Sequence, residues 1–139
     1  MSIAIARLSG EPLDLGTHLD AVEDPTAGAV ATFIGRVRNH DPEAAAEVTA
    51  LDYTAHPDAE ARLHEIVARF DSDVVRIAVS HRTGRVDVGG TAIIACVASA
   101  HRAEAFDVCR ELVEAIKHEL PVWKQQLQVD GAHSWVGLS

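Results

Sequence analysis

The sequence predicts an α+β fold, a single compact domain with a mostly antiparallel sheet, two main helices and a C-terminal hairpin. Three observations lead to this prediction. Helical and strand-like segments alternate along all 139 residues, and neither an internal repeat nor a Ser/Gly linker divides them. Several strand-like segments follow one another as in hairpins. Asp130-Gly131, between the last two, is a dipeptide typical of tight hairpin turns. We therefore expect residues 1–139 to form one domain.

The N-terminal part predicts strands separated by a short helical stretch. Residues 3–8 alternate in a short strand, and one or two helical turns surround Leu15, Leu19 and Val22. Residues 28–38, GAVATFIGRVR, are rich in β-branched and aromatic residues and run into the polar breaker NHDPE. A strand feeding a flexible loop is the expected structure here. Residues 47–55 predict the strand that follows.

The middle of the chain predicts a helix and two paired strands. Pro57 opens the helix, whose buried face has the spacing i, i+3, i+4 and i+7 in Leu63, Ile66, Val67 and Phe70. Residues 75–80 alternate as in a half-buried strand, and residues 93–98 are apolar throughout. We expect these two strands to pair antiparallel.

The C-terminal part predicts the longest helix and a hairpin. Ser99 is a favourable N-cap residue, and Pro121 stops the helix. Between them, apolar residues recur at helical steps: Ala105, Cys109, Leu112, Ile116 and Leu120. The segments WKQQLQV and AHSWVG flank Asp130-Gly131 as the two strands of the hairpin.

Composition excludes several classes of function. The chain has 12 Lys+Arg against 21 Asp+Glu, a formal charge of -9, which disfavours nucleic acid as the main partner. No apolar run approaches the roughly 18 residues that span a bilayer, and the N-terminus lacks a secretory pattern. We expect a cytoplasmic protein that binds neither nucleic acid nor membrane. Cys96 and Cys109 lie in apolar segments and are expected to be buried, without a redox role.

The two lysines are candidates for proton chemistry. The chain contains ten arginines but only Lys117 and Lys124 as lysines. A partly desolvated lysine can release its proton, whereas arginine cannot. A structural role is the alternative, because a lysine in the last turn of a helix favours the helix dipole and one in an edge strand opposes aggregation.

Two basic clusters are candidates for anion binding. His101 and Arg102 lie at the start of the long helix, where free N–H groups also attract phosphate. Arg36, Arg38 and His40 alternate at the end of a strand. Ordinary surface positions are the alternative for both clusters. Two i, i+4 pairs, Glu60 with His64 and Glu114 with His118, are routine helix surface, so no metal site is predicted.

Three segments in this order resemble the large, catalytic subunit of molybdopterin synthase, the MoaE family. They are FIGRVRNH (residues 33–40), SAHRAEAF (residues 99–106) and IKHELPVWKQ (residues 116–125). The HRTG turn at residues 81–84 and WVG at residues 135–137 extend the resemblance over nearly the whole chain. Each segment alone is weak evidence for the family, but the three in this order and at these separations are specific to it.

The resemblance implies a reaction and two partners. A small ubiquitin-like carrier with a C-terminal Gly-Gly thiocarboxylate inserts its tail into the large subunit. Its sulfur is transferred to cyclic pyranopterin monophosphate, forming the dithiolene of molybdopterin. No cofactor is implied. By their positions in these motifs, Lys117 and Lys124 match the family's catalytic lysines. The residues that match its substrate-binding positions are Arg38, His101 and Arg102. Phe33 and Val113 match positions of the channel that holds the carrier tail.

Helix geometry adds an expectation about assembly. Arg102 and Lys117 are fifteen residues apart on one helix, which is roughly 22 Å, too far for one small substrate to touch both. A homodimer with shared sites removes this difficulty. The resemblance implies that this homodimer lies within a heterotetramer that includes two carriers. The family often continues with a basic tail that supplies an arginine. This sequence ends at Ser139, so that contact is expected from Arg82, Arg85 or Arg110.

Two other functions remain open from the residues alone. One is a non-enzymatic dimeric module that docks a ubiquitin-like partner, which needs an apolar channel but no pair of lysines. The other is a phosphate-ester hydrolase using His101, which needs a carboxylate or metal partner nearby. Removal of both lysines distinguishes the three functions, because it abolishes only the synthase.

Overall fold

The structure, a computed structural model, describes residues 3–41, 46–131 and 133–136. Its elements are β1 (Ile3–Ser9), α1 (Leu15–Ala21), β2 (Ala29–Arg36), β3 (Val48–Ala55), α2 (Ala59–Ala68), β4 (Val75–Arg82), β5 (Gly84–Asp87), β6 (Thr91–Ser99), α3 (Arg102–Glu119), β7 (Val122–Gln128) and β8 (His133–Val136). The predicted α+β class is confirmed. The strands form two four-stranded sheets rather than one, ordered β1-β4-β6-β2 and β5-β3-β7-β8. No helix in these residues is long and apolar enough to cross a membrane.

The first sheet is built around β6. This strand pairs antiparallel with both β2 and β4, as predicted for β4, and β1 joins β4 in parallel. Alternate residues of β6 enter two separate apolar clusters, so residues 93, 95 and 97 pack on one face and residues 94, 96 and 98 on the other. Burial on both faces explains why this strand is an unbroken apolar run. The predicted burial of Cys96 and Cys109 is confirmed.

Helices cover both faces of the first sheet. On one face, α2 and α3 bury apolar side chains in the larger cluster. The predicted α2 face is confirmed for Leu63, Ile66 and Val67, which are fully buried, but the helix ends at Ala68 and Phe70 packs on the core from beyond it. On the other face lies α1, where the smaller cluster includes Val22.

The predicted N-cap of the long helix is wrong. Ser99 is the last residue of β6 and pairs with Ala29 and Val75, so its backbone belongs to the sheet. The N-cap is His101, with φ -125° and ψ 153°, and its side chain makes no capping bond. The Ser99 hydroxyl instead donates to the His101 carbonyl. A residue type that favours the N-cap position therefore predicts the start of a helix only where its backbone is not already part of a strand.

The second sheet carries the C-terminal hairpin. The predicted hairpin is confirmed, since β7 pairs antiparallel with β8. Gly131 has the expected positive φ of 81°, but Asp130 does not, so the turn is not a two-residue turn of the predicted kind. β3 pairs with β7 and β5, a short strand that was not predicted. Residues 42 and 43 of the predicted loop and residue 137 of the WVG motif lie outside the described residues.

A tight corner joins α3 to β7. α3 ends at Glu119, Leu120 is already extended with ψ 122°, and β7 begins at Val122. The amide of His56 donates to the carbonyl of Pro121 at 3.0 Å, which ties the corner to the end of β3. The last turn of α3 is therefore followed almost directly by the first residues of β7.

Candidate active site

The corner brings Lys117 and Lys124 together. Lys117 lies in the last turn of α3, and Lys124 lies on β7, directly opposite Tyr53 of β3. Both lysines line two adjoining spaces. We call these the inner cavity, of about 20 Å³, and the outer pocket, of about 210 Å³. The two lysines that the sequence analysis singled out are seven positions apart in the chain. The fold brings both of them to the same site.

Residues at the end of β2 and just after it also line the outer pocket. Arg36, Arg38 and His40 all line it, and their role in anion binding stays a prediction. The guanidinium of Arg36 donates to the carbonyl of Gly89 at 2.9 Å and 3.2 Å. Arg38 is exposed and contributes positive charge beside Lys124. The outer pocket therefore combines two amines and two guanidinium groups, an arrangement suited to an anionic ligand.

Both lysine amines lose part of their hydration. Burial lowers the pKa of Lys117, and the charge of Lys124 lowers this pKa further, while Glu114 opposes the effect. Burial also lowers the pKa of Lys124, where Asp41 raises it and Arg38 lowers it. Because these shifts bring an ammonium closer to its neutral form near neutral pH, each lysine is better suited to give up a proton.

Two neutral aromatic groups complete the inner cavity, and sequence reasoning missed both as site residues. Tyr53 and His81 line it and meet edge to face, with ring centroids 5.2 Å apart. Burial raises the pKa of Tyr53 to about 12 and is the main reason that the pKa of His81 falls to about 4. Tyr53 is the chain's only tyrosine, and His81 begins the HRTG segment, but neither pattern indicated a position beside the lysines.

An apolar groove runs beside the outer pocket. Phe33 on β2 and Val113 on α3 line it together with Phe106 and Cys109, and its volume is about 310 Å³. A Cβ added to Gly35, which lines the outer pocket, would stand 3.3 Å from the Phe33 ring. The groove and the pocket are therefore separated by little more than the Phe33 ring. The structure brings Phe33 and Val113 to one groove, and their role as a tail channel stays a prediction.

His101 and Arg102 lie at the far end of α3. Both are exposed, and Arg102, the first residue of α3, lies fifteen positions before Lys117. At about 1.5 Å per residue, Arg102 and Lys117 are roughly 22 Å apart along the helix axis. The structure therefore does not bring this pair to the lysines within one chain. Of the arginines expected to replace a tail contact, Arg82 and Arg85 line a different surface depression, and Arg110 lines the apolar groove.

Comparison with known proteins gives one consistent result. A protein-family model described as "MoaE protein" matches residues 8–119. The chain is 40% identical over 134 residues to molybdopterin synthase catalytic subunit 1 of Mycobacterium tuberculosis, covering 94% of this chain and 89% of that protein. It is 37% identical over 127 residues to the molybdopterin synthase catalytic subunit of Thermoplasma volcanium, covering 89% of each. The X-ray crystal structure of molybdopterin synthase from Staphylococcus aureus matches with a TM-score of 0.86 at 26% identity, covering 95% of this chain and 96% of that one.

Proposed function

This chain belongs to the MoaE protein family, and on that premise we propose that it is the catalytic subunit of a molybdopterin synthase. It takes sulfur from the thiocarboxylated C-terminus of a small ubiquitin-like carrier and transfers it to cyclic pyranopterin monophosphate, forming the dithiolene of molybdopterin. One observation carries the proposal. The only two lysines of the chain meet in a basic pocket that adjoins an apolar groove.

Lys117 and Lys124 handle protons in this reaction. Each carrier's sulfur forms a bond to a substrate carbon while a carbon–oxygen bond of the substrate breaks, and the departing oxygen needs a proton. Water then hydrolyses the acyl–sulfur bond that still joins carrier and substrate, which leaves the sulfur on the substrate and the carrier with a C-terminal carboxylate. A half-buried ammonium with a lowered pKa donates that proton more readily than an exposed lysine does. The resulting amine can recover a proton from solvent before the second transfer. Lys117 and Lys124 are accordingly assigned as the catalytic residues.

Substrate recognition uses arginine and histidine. Arg38 lines the outer pocket, and the N–H groups of its planar guanidinium can donate two parallel hydrogen bonds to the phosphate of the substrate. His101 and Arg102 reach the pocket of a second copy, because on their own chain they lie roughly 22 Å from Lys117. Two chains related by a two-fold axis share two such sites. With one carrier on each, the assembly is a homodimer within a heterotetramer.

The carrier tail lies in the apolar groove. A Gly-Gly tail has no side chains, so it can lie along the groove against Phe33 and Val113 and present its terminal thiocarboxylate to the basic pocket. Residues 1–139 act as one catalytic domain in this proposal. The reaction takes place in the cytoplasm, a location supported by two buried free thiols rather than a disulfide.

Conversion of the substrate tests the proposal directly. The purified protein is supplied with thiocarboxylated carrier and cyclic pyranopterin monophosphate, in parallel with Lys117→Ala and with Arg7→Ala, an exposed control on β1. We expect molybdopterin from the wild type and the control and none from Lys117→Ala, with carrier binding kept by all three. Carrier binding without product from the wild type would support the docking module instead. Full turnover by Lys117→Ala would exclude proton chemistry at that position.

A further inference from the structure

The inner cavity has the size and lining of a site for one water molecule. Its volume is about 20 Å³, and Tyr53, His81, Lys117 and Lys124 supply its polar groups. A buried water needs a space of at least about 10–15 Å³ and two to four polar partners. His81 lines this cavity but not the outer pocket, whereas both lysines line the two. His81 therefore shares with the two lysines the inner cavity alone.

The backbone determines which nitrogen of His81 carries the proton. Nδ1 lies 2.7 Å from the carbonyl oxygen of Arg82, and a carbonyl can only accept. Nδ1 therefore carries the hydrogen and donates it. Because burial holds the pKa of His81 at about 4, the ring is neutral near pH 7, and its Nε2 is an unprotonated acceptor.

The polar atoms of this cluster that make no hydrogen bond within the protein are accessible to water. In the described part of the chain, Arg82 Nε is the one fully buried side-chain polar atom without a partner. None of the hydrogen bonds among these residues involves His81 Nε2 or either lysine amine. These atoms are thus accessible to water in spite of the burial of the residues that carry them. One water in the inner cavity can join them.

We propose that His81 is a positioning residue of this site, whose unprotonated Nε2 holds the ammonium of Lys117 through one water molecule in the inner cavity. The proposal rests on the proposed function for its effect on turnover, but not for its effect on the lysine. Burial and the charge of Lys124 both destabilise the ammonium form of Lys117. A hydrogen-bond acceptor at His81 Nε2 stabilises that form. His81 thereby keeps Lys117 protonated for use as an acid.

The direction of the effect follows from the groups around Lys117. An acceptor stabilises the ammonium and raises the lysine pKa, so its removal shifts the titration to lower pH. The other charged or titratable groups near the two amines are on α3, β7, β3, β2 and the segment after β2: Glu114, Lys124, Tyr53, Arg36, Arg38, His40 and Asp41. All of these are unchanged in variants of His81.

Two amide variants of His81 distinguish the contribution of Nδ1 from that of Nε2. In His81→Gln the amide reaches the position of Nε2 and supplies an acceptor there. In His81→Asn it reaches the position of Nδ1, keeping the bond to the Arg82 carbonyl but leaving nothing at Nε2. Because the chain has only two lysines, each can be followed by NMR titration of protein carrying ¹³C-labelled lysine, with Lys124→Arg to assign the signals. His133→Asn, at an exposed position, is the control.

We expect Lys117 to titrate in His81→Gln and in the control as in the wild type. In His81→Asn we expect the midpoint of the Lys117 titration to fall by at least about half a pH unit. At pH values above this midpoint, the fraction of Lys117 in the ammonium form then falls roughly threefold. The basic limb of the turnover–pH profile should move in the same direction. Equal titrations in the Gln and Asn variants, or an unchanged titration in His81→Asn, would overturn the proposal.

A measurement on the wild type covers the case in which a variant does not fold. Long-range ¹⁵N–¹H correlations of labelled histidine report the tautomer, and we expect His81 to be protonated at Nδ1 and not at Nε2. The opposite tautomer would overturn the proposal. Neither NMR measurement uses the substrate or the carrier. A wild type that makes no molybdopterin but gives the expected titrations would contradict the proposed function while leaving the role of His81 supported.

Discussion

Tyr53 and Lys124 stand directly opposite each other on β3 and β7. Paired residues point to the same face of a sheet, so the half-buried lysine lies beside a buried phenol that His81 contacts edge to face. A slip of one residue in this register would turn Lys124 to the opposite face of the sheet. The pairing of β3 with β7 is therefore part of the geometry of the candidate site.

Gly35→Ala should disturb the site through packing. The added Cβ would lie 2.5 Å from Cγ2 of Ile93, which is fully buried, and 3.3 Å from the Phe33 ring. Since Ile93 has no space to move into, we expect a loss of about 1–3 kcal/mol in the free energy of unfolding, measured with urea. Displacement of Phe33 should also weaken binding of the carrier tail, measured by calorimetry.

Gly10→Ala is the matched control for that substitution. Its Cβ would lie 3.8 Å from Thr83 Oγ1, an ordinary contact. We expect its stability and carrier affinity to match those of the wild type. Equal behaviour of the two alanine variants would contradict the assignment of a close approach at Gly35.

Sequence patterns predicted local elements well and the assembly of the site poorly. The spacing from Ala105 to Ile116 predicts α3 because one buried face is enough to define a helix. The pairing of β3 with β7 depends on residues about seventy positions apart, and no local pattern specifies such a pair. Lys117 and Lys124 are conspicuous because they are the chain's only lysines, whereas His81 is interpreted from the sequence only as the first residue of the HRTG turn.

His18 and Ser80 form a buried hydrogen bond that joins α1 to β4. The Nδ1 atom of His18 donates to the carbonyl of Asp14 at 2.7 Å, so Nε2 accepts from the Ser80 hydroxyl, also at 2.7 Å. Both residues are fully buried. We expect His18→Ala to lower the free energy of unfolding by about 2–4 kcal/mol and Ser80→Ala by about 1–3 kcal/mol, measured with urea.

The double variant tests whether those two losses arise from one interaction. We expect His18→Ala/Ser80→Ala to cost less than the sum of the single variants, because either one already breaks the bond. His133→Ala, at an exposed position, should leave stability unchanged. Strict additivity of the two single effects would argue against a shared hydrogen bond.

Glu119 should make stability depend on pH. Its hydrogen bond to Arg69 is the largest cause of its lowered pKa, and the charges of Arg69 and Arg62 act in the same direction. A lowered pKa adds stability that is present above the ordinary value of 4.5 and is lost as pH falls through the lower folded value. We expect Glu119→Gln to be less stable than the wild type at pH 7.

That difference should shrink below pH 4.5 and vanish once the carboxyl is protonated in both states, as followed by urea unfolding across the pH range. Glu111→Gln, on the exposed face of the same helix, is the matched control and should show no such trend. A difference between Glu119→Gln and the wild type that stays constant down to pH 2 would show that the ion pairs are not its source.

Complementation between two inactive variants tests the shared site. If His101 and Arg102 act in the pocket of the partner copy, Lys117→Ala damages the pocket of its own chain and Arg102→Ala damages that of its partner. In a mixed dimer, one pocket then carries both substitutions and the other carries neither. After unfolding and refolding together in equal amounts, the two inactive variants should recover about a quarter of wild-type molybdopterin formation, the statistical share of intact pockets. Each variant refolded alone should recover none. If the mixture stays inactive while sedimentation shows dimers, both residues act within one chain and the roughly 22 Å between them must be bridged in another way.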